Sequence, residues 1–198
     1  MTTTTSPAAP LARLATSGLR RVGLVVAGVV LMTIGAKVQV PFWPVPMTLQ
    51  TLALMLIIGA GGMRLAVETV FAYLALGLAG LPVFAGAAAG PAYFAGPTAG
   101  FLIGFLLAAL VGGFLVDRGA ARHPLRLFGA LILADAVLFA SGVLWLGLVF
   151  TTASGGHLGL ATAFAKGAAP FLLADLLKVA IAALAVSGLA RRSLGREG

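Results

Sequence analysis

Six long apolar runs, punctuated by proline and glycine, constrain this chain more than any other feature of its sequence. They cover residues 22–38, 48–61, 65–80, 98–116, 127–150 and 170–190. A helix needs about 20 apolar residues to cross a hydrocarbon core of roughly 30 Å. Six crossings use about 120 residues, and the chain has 198. The remainder cannot hold a soluble catalytic or nucleotide-binding domain. Composition agrees, because charged residues make up only 9%, against about 25% in soluble domains. A hydrophobic content of 61% also excludes a disordered chain. The sequence therefore predicts an all-α integral membrane protein with six transmembrane helices. The run 48–61 is short, and is expected to be tilted or partly buried.

The punctuation sets the boundaries. Pro41, Pro44 and Pro46 follow the first run, and Gly61-Gly62 closes the second. Pro82, Pro91 and Pro97 mark a loop after the third, and His123-Pro124 separates the fourth from the fifth. Gly155-Gly156 follows the fifth, and Pro170 suits the first turn of the sixth. Residues 1–21 read as a flexible cytoplasmic tail, 22–190 as the six-helix domain and 191–198 as a basic cytoplasmic tail. A cleaved signal peptide is rejected, because the rest of the chain does not read as a secreted domain. With no cysteine, disulfides and thiolate metal sites are excluded.

The net charge of +8 reads first as topology. If the N-terminus is cytoplasmic, the inside segments carry Arg13, Arg20, Arg21, Arg64, Arg118, Arg122, Arg126, Arg191, Arg192 and Arg196. The outside segments carry only Lys37 and Lys166. This asymmetry predicts both termini inside. Two outer loops, 40–47 and 81–97, are apolar, aromatic and rich in Pro, Gly or Ala. Irregular backbone of that character persists at membrane depth where it packs on protein or lines a cavity. The loops are expected to fold over an outer pocket, the plainer alternative being interfacial anchoring by Trp43 and Tyr93.

Polar residues inside the runs are few. Asp175 and Lys178 are three apart in the sixth run, so they share a helix face. Intramembrane charges usually face a bundle interior or a cavity. Two readings stand open: a self-neutralising pair that packs the bundle, or a site for a ligand with both a hydrogen-bond donor and a negative group. Asp135 is equally open between packing and function. Glu68 is expected to pair with Arg64, and Asp117 to be a solvated boundary residue. Lys37 and Gln39, beside the first outer loop, are expected to snorkel to the interface, the alternative being contact with a ligand. Thr48 reads as the N-cap of the second helix, which would point Gln50 into the cavity. Gly23 and Ala27, like Ala75 and Ala79, have the four-residue spacing that lets helices approach closely.

At Val45-Pro-Met-Thr-Leu-Gln-Thr-Leu the chain resembles the BioY family, the biotin-binding S components of energy-coupling-factor (ECF) transporters. Three further segments agree in order: Gly80-Leu-Pro-Val-Phe-Ala-Gly86, Ala95-Gly-Pro-Thr-Ala-Gly-Phe101 and Pro170-Phe-Leu-Leu-Ala-Asp-Leu-Leu-Lys178. The resemblance covers about residues 22–190. It implies a six-helix S-component fold in the bacterial cytoplasmic membrane, with biotin near the outer face under the first and third connecting loops, 40–47 and 81–97. It also implies a membrane-embedded T component and two cytoplasmic ATPases as partners, and reorientation of the whole domain during transport. The chain itself has no phosphate-binding loop of the G-x-x-x-x-G-K-[ST] type. No cofactor, metal or nucleic acid is implied.

Carried over by residue, the resemblance assigns Asp175 to the ureido N–H groups of biotin and Lys178 to a polar or charged group such as the carboxylate. Tyr93 would stack on the ligand or hydrogen-bond to it from the third loop. Gln50, Thr48 and Phe84 lie in matching motifs. Gly23 and Ala27 would meet the T component. Two departures stand out. Ala87-Ala88-Ala89 replaces a stretch that is often Gly-rich with a polar residue, and the fourth run lacks an internal charge. The competing readings are an S component for another vitamin, a small secondary carrier, and an intramembrane hydrolase built on Ser141, Ser154 and His157. The two histidines fall on opposite predicted faces, which argues against a metal site.

Overall fold

The computed structural model describes residues 18–87 and 89–194. Helix α1 spans Gly18–Lys37 and α2 Gln50–Leu78. They are followed by α3 (Ala99–Asp117), α4 (Pro124–Leu144), the short α5 (Leu160–Gly167) and α6 (Leu172–Leu194). Five of these helices are long and apolar enough to cross a bilayer, with α2 counted once. Arg20 and Arg21 belong to α1 rather than to a tail. The expected tail residues 1–17 and 195–198 lie outside the described residues.

Helix α2 holds two of the expected runs. Its backbone leaves helical geometry at Gly62, where φ is +71° and ψ is −172°. The arms on either side fold back on each other. Gln50 Nε2 donates to the Tyr73 hydroxyl at 2.6 Å, whereas 23 residues of straight helix would hold them about 35 Å apart. The left-handed φ favours glycine, because a Cβ there is strained. A Cβ at Gly62 would also strike the Asp117 carboxylate. That carboxylate accepts the Met63 N–H at 3.1 Å. Asp117 is therefore not merely a solvated boundary residue: it caps the second arm, whose first N–H groups have no partner within the helix.

The first arm, 50–61, is short and mostly buried, and α2 as a whole packs against α1, α3 and α6. Lipid tails are as apolar as leucine, so packing and interhelical hydrogen bonds hold such a bundle together. Glu68 takes both Nε and Nη2 of Arg21 on α1 (Nε–Oε2, 2.7 Å) as well as the expected Arg64 at 3.6 Å. The pair expected within one helix thus also joins two.

The opposite end of the bundle carries the irregular structure. Residues 39–40 and 47–48 form a two-stranded antiparallel ribbon, with Gln39 opposite Thr48 and Val40 opposite Met47. The 81–97 loop contains a 3-10 turn at Pro91–Ala95. Helix α4 starts with Pro124 in its first turn, as expected, and passes into a π turn at Trp145–Val149. Helix α5 was not expected from the sequence. It buries Ala163 and Gly167, and its Lys166 sits 5.3 Å from the Trp43 ring in the first loop. Pro170 lies in the turn before α6, which starts at Leu172.

Candidate ligand-binding site

Beneath the two loops lies a cavity of about 60 Å³. The first loop contributes Val45, Pro46 and Thr48, and the third contributes Ala85 and Tyr93. Phe101, Phe105, Phe139 and Phe171 form an apolar wall, while Gln50, Thr51, Asp175 and Lys178 form a polar one. Small-molecule sites are built this way, with an apolar lining and a few convergent polar groups. A larger groove of about 500 Å³ between α3 and α4 is lined by residues such as Ile103, Leu107, Val137 and Leu148 and has no charged group in its wall. It suits acyl chains rather than a polar ligand.

The polar wall is centred on Asp175, whose residue is 2% exposed. Its Oδ1 accepts the Thr51 hydroxyl and the Lys178 ammonium, each at 2.6 Å. Lys178 also donates to the Thr48 carbonyl at 2.7 Å and to Thr51 Oγ1 at 3.2 Å. An ammonium has three N–H groups, and these three acceptors are enough to engage all of them. Among the described residues both side-chain bonds to Asp175 fall on Oδ1, which leaves Oδ2 to receive a donor. The pair spaced three apart is thus both self-neutralising and part of the cavity wall.

Thr48 is not the N-cap. It lies in the ribbon, and α2 starts at Gln50 after Leu49. Its hydroxyl nevertheless accepts the Gln50 N–H at 3.2 Å, so it serves one of the same orphan donors. Gln50 is buried and faces the cavity while holding Tyr73. Tyr93 lines the cavity, its hydroxyl lies 3.5 Å from the Ala85 carbonyl, and burial pushes its phenol above the ordinary value. The group therefore stays a neutral donor. Phe84 lies behind Tyr93 rather than on the cavity wall. It is 1% exposed and stacks on the Tyr93 ring at 4.6 Å. A Cβ at Gly77 would collide with the Phe84 ring, so only glycine admits that approach.

Thr51 and the four phenylalanines line the cavity although the sequence does not single them out. The only sequence signal for Thr51 was its place beside Gln50. Asp135 is buried, its Oδ1 has no hydrogen-bond partner among the described residues, and it lies within electrostatic reach of Asp175 and Lys178. Gly23 and Ala27 lie on the exposed face of α1, and a Cβ on Gly23 would meet open space. Gly28 instead packs against Thr69 of α2. The parts of the hydrolase reading bond to other groups rather than to one another among the described residues. Ser141 donates to the Gly100 carbonyl at 2.8 Å, Ser154 pairs with Thr152, and His157 Nδ1 lies 3.2 Å from the Phe150 carbonyl.

Fold and site together define a class of helical membrane protein with a cavity, apolar on one wall and polar on another, beneath loops at one end of the bundle. The chain belongs to the BioY family, whose profile matches residues 3–195. It is 34% identical over 165 residues to the probable biotin transporter BioY of Pyrococcus horikoshii, covering 83% of this chain and 93% of that one. It is 34% identical to the biotin transporter BioY of Thermotoga maritima, covering 81% and 91%. For that of Rhodobacter capsulatus the identity is 39%, covering 74% and 80%. In fold it matches the crystal structure of the S-component for biotin from an ECF-type ABC transporter. The TM-score is 0.74 at 24% identity, covering 89% of this chain and 95% of that one.

Proposed function

We propose that this chain binds biotin in the Asp175 cavity and serves biotin uptake as the S component of an ECF-type transporter. The observation that carries this is the polar wall of Asp175, Lys178 and Thr51 opposite an aromatic one, in a chain of the BioY family. Biotin offers N–H donors on a compact ring system and a carboxylate on an aliphatic tail. Asp175 Oδ2 accepts a ureido N–H, and the phenylalanine wall packs on the rings and tail. Lys178 offsets the charge of Asp175. To reach a ligand carboxylate it must first release Thr48 or Thr51, so it is the secondary contact. Tyr93 closes the site from above with Phe84 supporting it, while Gln50 and Thr48 shape its edge.

The cavity of about 60 Å³ is well below the roughly 300 Å³ or more of small-molecule sites. Biotin enters by displacing the two loops, which lie at the outer face of the cytoplasmic membrane, with both termini cytoplasmic. Energy comes from two partner ATPases through a T component, which docks on the α1 face containing Gly23 and Ala27. The test is equilibrium binding of labelled biotin to the purified chain in detergent, with thiamine and riboflavin as competitors. Saturable binding displaced by biotin alone is expected. Displacement by thiamine or riboflavin, or no binding by a folded, monodisperse sample, contradicts the assignment.

A further inference from the structure

The third loop is held by side chains that lie outside the cavity wall. Lys37 sits in the last turn of α1, where a cation complements the helix dipole. Its ammonium does not snorkel away. It donates to the Phe84 carbonyl at 2.8 Å and to the Gly86 carbonyl at 2.7 Å. Such charge-assisted bonds are stronger than neutral ones. Tyr73, fully buried on α2, donates to the Val83 carbonyl at 3.0 Å and receives Gln50 Nε2 at 2.6 Å. The Phe84 backbone is thus pinned next to its ring, and that ring carries Tyr93. Further along, the Gly90 N–H bonds to the Gly77 carbonyl at 2.8 Å, and the Tyr93 N–H to the Gly90 carbonyl at 3.1 Å.

We infer that Lys37 and Tyr73 are positioning residues: they anchor the backbone at 83–86 and so set how readily Tyr93 leaves the ligand. Neither residue lines the cavity. Lys37 acts from α1 and Tyr73 from α2, and through Gln50 the second anchor reaches the polar wall. A loop that must move for a ligand to pass is then restrained by two donors on rigid helices. The inference rests on the reading of the cavity as the biotin site.

Two measurements test it on the full chain in detergent: the dissociation rate of labelled biotin, and hydrogen exchange at the Gly90 and Tyr93 amides without ligand. Lys37→Met keeps the stem and removes the donors. It is expected to speed both processes at least about tenfold, while Lys37→Arg stays within about threefold of wild type. Unchanged exchange in Lys37→Met overturns the anchor. Faster exchange with unchanged dissociation overturns its role in holding ligand. A lowered melting temperature without either change marks Lys37 as merely structural and also overturns the inference. If Lys37→Met does not fold, Tyr73→Phe removes a single oxygen and is expected to speed dissociation by about threefold or more, with a wild-type rate counting against the inference. Failure of wild type to bind biotin overturns the site reading instead, and the exchange comparison still decides the anchor.

Discussion

At the scale of single residues, the site depends on one carboxylate oxygen holding two partners. Thr51 bridges Asp175 and Lys178, at 2.6 and 3.2 Å. Without its hydroxyl, Asp175 Oδ1 loses one donor and Lys178 loses one acceptor, so the charged pair is held less firmly at the cavity wall. Thr51→Val, close in shape, is expected to weaken biotin binding by about tenfold with little change in melting temperature, as read by binding and thermal denaturation in parallel. Asp175 and Lys178 were readable in the sequence because charge is rare in an apolar run and a spacing of three fixes a shared face. Thr51 was not. Its partner lies 124 positions away, and a threonine at the start of a membrane helix needs no special explanation. Lys37 was misread for a similar reason. Snorkelling is a local expectation, whereas its acceptors lie 47 and 49 residues on.

At the scale of elements, most of the fold follows from apolar runs and their breakers. Gly61-Gly62 marked a helix end, and the structure turns the chain back at Gly62 alone, with no loop between the arms. What the sequence could not supply was the Asp117 cap, a contact across 54 residues that makes so abrupt a reversal possible. Gly62→Ala combines a strained left-handed backbone with a clash against that carboxylate. It is expected to destabilise the chain by about 2 kcal/mol or more, seen as a lower melting temperature in detergent. Asp117→Ala is expected to lower it by a smaller step of about 1 kcal/mol. Helix α5 escaped the sequence reading because eight residues are too few to stand out beside membrane-length runs.

At the scale of the whole molecule, the proposed function separates binding from energising in space. The cavity lies at the loop end, and the exposed small-residue face of α1 lies on the side of the bundle. A bulky residue on that face should therefore spare ligand binding and disturb docking. Ala27→Trp is expected to bind biotin as wild type does but to lose most uptake in cells that contain the energising partners. Loss of both together would place Ala27 in the fold instead.

The central claim is that Asp175 in this cavity holds biotin. It is tested most directly by titrating labelled biotin into wild type and Asp175→Asn side by side, both purified and monodisperse. The asparagine keeps the shape and removes the charge on which Lys178 and the ureido donors converge. Saturable binding by wild type and binding at least about a hundredfold weaker by the variant is the predicted result. Equal affinity in the two would contradict the account.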